Sequence, residues 1–476
     1  MRPGEWQLWL AAIVFTVDIA ASLHAILLKR DVRSAIAWTG MIWLVPGFGA
    51  LLYAMLGVNR VRRRALQLHR NRRRLASSTA EHVAPAASAS PGHPNLRGLA
   101  RLAERVSARP LLGGNALTPL VNGDAAYPAM LEAIDGAVHA IALSTYIFAD
   151  DKSGKRFVDA LTRAVRRGVE VRVLIDGVGV RYTVPPVHKT LRAAGVTTAL
   201  FLPTIAQAGL AFFQLRNHRK LLIVDGRAAF TGGMNIQDRN VLADAPRRGI
   251  RDIHFRVEGP VVRQLQDAFG EDWAFSTGEL LDAPRWYPRV TKRGNTAARV
   301  ITDGPDGDLE VTRNVLLGAI AIARESLRIV TPYFLPDAPT IAALGVAAMR
   351  GVQVDIVLPA RGNIPLAQWA STALQWQVLR PGCRVFLTPP PFDHAKLFVV
   401  DRAWALVGST NWDPRSLRLN FELDLECHDE QLATSLDALI DARIAEGRPF
   451  TLEDADGRAF HIRVRDGLAR LLSLYL

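Results

Sequence analysis

One short string of chemically able residues occurs twice in this chain. The first copy runs His218, Lys220, Asp225, then Gly232-Gly233-Met234-Asn235; the second runs His394, Lys396, Asp401, then Gly408-Ser409-Thr410-Asn411. In both, Lys follows His by two positions, Asp follows Lys by five, Gly follows Asp by seven and Asn follows three later. The set suits attack on a phosphodiester, which needs a nucleophile, a proton donor for the leaving alkoxide and fixed positive charge on the non-bridging oxygens. One neutral imidazole would attack phosphorus to give a phosphohistidine; the other, protonated, would donate to the departing oxygen and then deprotonate the incoming hydroxyl. Lysine ammonium groups are compact point charges suited to phosphate, and the amides of Asn235 and Asn411 can donate to the same oxygens. A lone His beside an apolar run is more often structural, but duplication at identical spacing argues for catalysis. Such chemistry calls for no metal and no cofactor. The other His residues are scattered, and Cys383 and Cys427 have no ligand spacing around them.

Elements must bring the two strings together. Leu221-Leu222-Ile223-Val224 and Leu397-Phe398-Val399-Val400 are continuous apolar runs that read as strands buried on both faces. Positions two apart on a strand share a face, so each His and its Lys point into one cleft. The repeat extends upstream. Ser144 to Phe148, a helical stretch from Lys155 to Arg167 and Gly168 to Asp176 precede the first string; Thr331 to Leu335, Ile341 to Arg350 and Gly351 to Pro359 precede the second in the same order. Strand, helix, strand, then the His-Lys strand predicts an α/β fold of two pseudo-symmetric halves with mixed or parallel sheets, over residues 110–290 and 291–476, facing one shared site.

The chain has 476 residues, a net charge of +13 and an apolar share of 49%. That charge would suit nucleic acid, but the N-terminus points to a membrane and no nucleic-acid partner is expected. Trp9 to Leu28 is a largely apolar segment of 20 residues that contains Asp18 and His24, and Ala35 to Leu56 gives 22 with no charge, each near spanning length. Residues 1–58 are therefore expected to form a transmembrane helical hairpin. Asp18 within the first segment costs roughly 2.5 to 3.5 kcal/mol on insertion scales, and Pro46-Gly47 with Gly49 predicts a kink or a re-entrant turn in the second. Arg60, Arg62, Arg63, Arg64, Arg70, Arg72, Arg73 and Arg74 outnumber Lys29, Arg30, Arg33 and Arg2, which places the heavy cluster and the catalytic domain on the cytoplasmic side and gives anionic headgroups an attractive surface. Residues 59–109 read as this basic segment, a flexible Ala/Ser/Pro linker over 76–95, and a short basic amphipathic helix with Leu96, Leu99, Leu102 and Val106 on one face, expected to pack on the domain. With two cysteines and a cytoplasmic domain, no disulfide is expected.

H-x-K-x4-D followed by G-G/S-x-N, present twice, resembles the phospholipase D superfamily from about residue 110 to the C-terminus. Asn217-His218-Arg219-Lys220, Gly232 to Ile236, Arg251 to Pro260, Ala469-Arg470-Leu471-Leu472 and the N-terminal region are similar to bacterial cardiolipin synthases. The resemblance implies transphosphatidylation. His218 would take the phosphatidyl group from one phosphatidylglycerol, glycerol would leave, and a second phosphatidylglycerol would resolve the intermediate to cardiolipin. It implies phosphatidylglycerol and other anionic phospholipids as partners and a multi-pass position in the bacterial inner membrane. It also makes His218 the nucleophile and His394 the acid and base, which the residues alone do not rank. Asp252, 34 residues after His218, and Glu422, 28 after His394, are assigned to orient the two imidazoles, the longer spacing reflecting an inserted loop around Ala243 to Gly249. Asp225 and Asp401, counted with the catalytic set, would brace the site. Tyr146 and Tyr333 occupy equivalent positions that could face substrate; Arg415 and Arg418 suit fold or phosphate contacts. Asp393 stands where the family has an apolar residue, a departure that could alter acceptor choice. A membrane-bound phospholipase D hydrolase releasing phosphatidic acid would use the same residues and stays open, as do phosphatidylethanolamine as acceptor and the oligomeric state.

Overall fold

The computed structural model describes residues 5–29, 32–57, 93–203, 215–305 and 310–473, and the chain divides into two units, residues 1–67 with 204–214 and residues 68–203 with 215–476. In the first unit, helix α1 (Glu5–Leu28) contains Trp6–Leu28, 23 residues long and apolar enough to cross a membrane. The second apolar run is divided. Helix α2 (Val32–Leu44) covers 13 residues, about 20 Å at 1.5 Å per residue, short of a hydrocarbon core about 30 Å thick. The chain then reverses through Pro46 and Gly47 (φ 75°) into helix α3 (Phe48–Leu52) and a π-turn over Tyr53–Gly57. The reversal is tight: a Cβ on Gly49 would sit 2.4 Å from the Met41 carbonyl oxygen. It also explains the polar residues of α1. The Gly47 N–H, left without a helical partner by the turn, donates to both carboxylate oxygens of Asp18 at 3.1 Å, and His24 Nδ1 lies 2.7 Å from the Tyr53 hydroxyl. The arginines from Arg60 to Arg74 and the linker up to residue 92 lie outside the described residues.

The second unit begins with helix α4 (Leu96–Ser107). Its apolar stripe packs on the domain, with Leu99 and Ala103 buried in the core of the second half. The first half then runs β1 (Leu112–Val121), α5 (Asn122–Asp135), β2 (Ala140–Thr145), α6 (Lys152–Arg166), β3 (Glu170–Asp176), α7 (Val187–Ala193), β4 (Thr197–Phe201), β5 (Arg216–Asn217), β6 (Leu221–Val224), β7 (Ala228–Gly232), β8 (Ile250–Arg251), β9 (Ile253–Glu258) and α8 (Val262–Thr277). The second runs β10 (Thr296–Asp303), α9 (Val311–Ile322), β11 (Ser326–Val330), α10 (Ala338–Met349), β12 (Gln353–Pro359), α11 (Pro365–Thr372), α12 (Gln375–Leu379), β13 (Arg384–Thr388), β14 (Phe392–Asp393), β15 (Leu397–Val400), β16 (Trp404–Gly408), β17 (Asn420–His428), α13 (Glu430–Glu446), β18 (Arg448–Phe450), α14 (Leu452–Asp456) and α15 (Phe460–Leu471).

Strand order makes the duplication visible. From one edge it reads β4-β3-β2-β6-β7-β9-β1, and from the other, after β18, β13-β12-β11-β15-β16-β17-β10. The two series meet where β1 pairs antiparallel with β10, Leu112 opposite Ala298 and Asn115 opposite Thr296. Equivalent strands paired antiparallel define a local twofold, and the halves share one mixed sheet: β2-β3-β4 and β11-β12-β13 are parallel, the rest of the series antiparallel. β6 and β15 are buried at every position, as their apolar runs predict. Helices cover both faces. Phe157 and Leu161 of α6 pack on one face in the first half, while Leu265 and Phe269 of α8 join Leu436 and Ile440 of α13 in a core common to both halves. Fully buried Arg299 ties α4 to this frame, donating to Glu426 at 2.7 Å and to the Ala100 and Arg109 carbonyls at 2.9 and 3.1 Å.

Candidate active site

Each motif histidine, His218 and His394, stands at the end of a two-residue strand, and that strand pairs with the opposite half. β5 lies parallel to the start of β17, and the His218 N–H donates to the Phe421 carbonyl at 2.9 Å. β14 lies parallel to β8, and the His394 N–H donates to the Arg251 carbonyl at 2.7 Å. The next residue in each partner strand is a carboxylate. His218 Nδ1 is 2.9 Å from Glu422 Oε2, and His394 Nδ1 is 2.8 Å from Asp252 Oδ2. Both assigned orienters therefore reach an imidazole, but crosswise: the first-half histidine is held by the second-half carboxylate and the reverse.

The residue before each histidine repeats one design. The Asn217 side-chain oxygen accepts the Arg219 N–H at 3.1 Å while its amide nitrogen donates to Asp272 of α8 at 3.0 Å. The Asp393 carboxylate accepts the Ala395 N–H at 3.0 Å and is paired with buried Arg443 of α13 at 2.6 Å. Asp393 is thus neutralised against a helix rather than aimed at an acceptor, which corrects the sequence expectation; the charge has been exchanged between strand and helix.

Lys220 and Lys396 donate to the carbonyls of their own histidines, at 2.6 and 2.5 Å. Burial is the main influence on all four groups. It pushes His218 well below 6.5, with Lys220 and Lys396 adding to the effect, and His394 down to about 4 with Lys396 adding to it. It lowers Lys220 to about 7 and Lys396 to about 8. That His218 feels Lys396 and His394 feels Lys220 puts both motifs in one site. Burial raises Glu422; it would raise Asp252 too, but the hydrogen bond from His394 holds that carboxylate low. With Nδ1–H donating to a carboxylate, each neutral ring presents its Nε2 lone pair.

The motif glycines make room for the carboxylates. A Cβ on Gly233 would lie 2.6 Å from Asp252 Oδ1, and one on Gly408 would lie 2.3 Å from Asp424 Oδ1. The position after Gly408 is Ser409, whose hydroxyl donates to Glu422 at 2.5 Å, joined by Asn420 Nδ2 at 3.0 Å. Sequence reasoning missed this bracket; the only signal was the Gly-to-Ser difference between the two copies.

Asn235 accepts the Ile147 N–H at 3.2 Å, which leaves its NH2 for a ligand. Asn411 Nδ2 donates to Ser416 Oγ at 3.2 Å and its buried oxygen has no partner; a half-turn of the amide exchanges these roles. Asp225 and Asp401 are elsewhere. The Asp225 carboxylate accepts the N–H groups of Val138, His139 and Ala140 at 3.0, 2.6 and 2.9 Å. Asp401 accepts those of Arg324, Glu325 and Ser326 at 2.9, 2.8 and 2.8 Å. Both pin the start of the neighbouring strand at the far end from the histidines, so they are strand anchors and not members of the catalytic set. Tyr146 reaches the site, edge-on to the His218 ring at 5.3 Å with Lys220 Nζ 5.6 Å from its own ring. Tyr333 donates to Asn363 at 2.5 Å. Arg415 keeps a buried Nε with no partner, and Arg418 is exposed.

Two α/β halves with paired His-Lys-Asn sets define a duplicated phosphodiester-processing fold. The family model described as "Cardiolipin synthase, PLD-like domain" matches residues 130–273 and 316–444, and the chain belongs to this phospholipase D-like family. It is 32% identical to cardiolipin synthase A of Pseudomonas fluorescens over 98% of its own length and 97% of the relative's, and 31% identical to the major cardiolipin synthase ClsA of Bacillus subtilis over 98% of each. Among solved structures, phosphatidylserine synthase of Haemophilus influenzae superposes with a TM-score of 0.62 at 13% identity, covering 79% of this chain and all of that one, a likeness of fold.

Proposed function

We propose that this chain is a cardiolipin-forming phosphatidyltransferase. The observation that carries the reading is the pair of crossed His–carboxylate contacts with two lysines in one site. His218, kept neutral, attacks the phosphorus of phosphatidylglycerol through Nε2, and His394 protonates the glycerol that leaves. The negative charge of the bound phosphodiester, not present in the free site, raises His394 and both lysines toward their charged forms. Lys220, Lys396 and the NH2 groups of Asn235 and Asn411 hold the phosphoryl oxygens; His394 then takes the proton from the hydroxyl of a second phosphatidylglycerol, whose oxygen attacks phosphorus and breaks the bond to His218 Nε2, releasing cardiolipin and neutral His218. Crossing by α1, with the arginines that follow residue 58 on the cytoplasmic side, anchors the enzyme in the inner membrane. Lipid outcompetes water because an oriented hydroxyl has an effective concentration orders of magnitude above that of bulk solvent. Purified full-length enzyme given phosphatidylglycerol carrying isotopically distinct headgroups in mixed micelles should yield cardiolipin and free glycerol; phosphatidic acid without cardiolipin would replace this reading with hydrolysis.

A further inference from the structure

We propose that an arginine-lined cleft beside His394 binds the phosphodiester of the acceptor lipid, the second of the two phospholipids joined in the reaction proposed above, on which this inference rests. The cleft is a cavity of about 200 Å³ between the inserted segment that carries Arg239, Arg247 and Arg248 and the loops that carry Arg361, Asn363 and Pro389-Pro390-Pro391. All four arginines are exposed. No carboxylate lines the cavity, and none of the four arginines has a side-chain partner among the described residues. Consecutive prolines have no N–H to offer, so the donors on that wall are guanidinium groups and the Asn363 amide. The Asn363 oxygen is already engaged by the Tyr333 hydroxyl at 2.5 Å, which turns its NH2 outward as a donor. Four unneutralised forks and an amide are a match for the oxygens of a phosphodiester.

Position identifies which phosphodiester. The arginine segment is an ordered loop, Asp124 accepting the Leu242 and Ala243 N–H groups at 2.8 and 3.0 Å, and it runs directly into β8 and Asp252. The proline wall runs directly into β14 and His394. Because β8 and β14 pair with each other, the cleft opens at the root of the His394–Asp252 couple, the one that activates the incoming hydroxyl. An acceptor glycerol whose free hydroxyl meets His394 carries its own phosphate three carbons away, on the cleft side, while the donor phosphorus stays between the two imidazoles.

The triple variant R247Q/R248Q/R361Q of the full chain tests this in mixed micelles of fixed phosphatidylglycerol content, with and without ethanol as a phosphate-free acceptor. At that content cardiolipin formation should fall at least tenfold, while phosphatidylethanol formation and hydrolysis hold within twofold of wild type; R247Q/R248Q/R361K should recover part of the loss. Equal losses in all three products would show general attraction to the lipid surface and overturn the proposal, and so would no loss at all. Wild-type enzyme that makes phosphatidylethanol but no cardiolipin would instead fail the functional reading on which the cleft depends.

Discussion

The crossing of the two His–carboxylate pairs sets the expectations for single residues. His218→Ala should abolish the covalent phosphohistidine, whose P–N bond is labile in acid, in digests kept alkaline, and His394→Ala should slow both half-reactions by about 10²- to 10⁴-fold, the usual worth of general acid–base catalysis. An adduct trapped on His394 would reverse the roles. Glu422→Gln should impair adduct formation as an isolated step, and its effect should be far less than additive with that of His218→Ala because the two act as one unit; additivity would break the crossed assignment. The lysines predict opposite trends with pH. Burial in the free enzyme lowers Lys220 to about 7 and Lys396 to about 8, so kcat/KM should decline as pH rises through that range. Since the folded value of Lys220 lies below its unfolded 10.5, the unfolded chain holds the extra proton between those limits and stability rises with pH there. Denaturation midpoints of wild type minus Lys220→Met, followed from pH 7 to 10, should show that gain. The grouping of His218, Lys220, His394 and Lys396 was legible because their spacing repeats in the chain, while Asp252 and Glu422 were assigned from the family resemblance. Which carboxylate faces which imidazole was not, since separation along the sequence says nothing about the partner half, and Asp225 and Asp401 looked catalytic only because they recur with the motif.

At the scale of elements, close approach is the controlling quantity. Gly233→Ala places a methyl 2.6 Å from Asp252 Oδ1 and must displace β9 or the carboxylate. A cost of about 1 to 3 kcal/mol is expected from overpacking, and activity should suffer more than stability because Asp252 positions His394; thermal melts alongside single-turnover rates separate the two. The fully buried β6 and β15, the alternating helices and the amphipathic α4 could be read from hydrophobic pattern. Strands β5, β8 and β14 could not, because two residues carry no periodicity, yet they are the elements that deliver both histidines across the interface between halves.

For the whole molecule, the crossed contacts explain why neither half is expected to work alone: each contributes one histidine and the carboxylate that contacts the other's. The composition of the N-terminus announced a membrane, and Pro46-Gly47 announced a break, but the pairing of Asp18 with the Gly47 N–H was hidden because hydropathy counts a polar residue without seeing the turn that needs it. Removing residues 1–57 should leave turnover of short-chain phosphatidylglycerol in micelles close to wild type and depress turnover on vesicles, read as product per enzyme at equal lipid; equal activity on vesicles would assign anchoring to another segment.

The reciprocal bracing of the two imidazoles has a historical corollary. A single-copy ancestor with these contacts would have had to be a symmetric dimer, each protomer completing its twin's centre. Fusion of the copies removed the obligation of identity without removing the mutual dependence, so the two centres could drift apart in detail while neither could be lost. The swap of Gly233 with Asp252 for Ser409 with Glu422, and of an Asn–Asp tether for an Asp–Arg one, records that freedom.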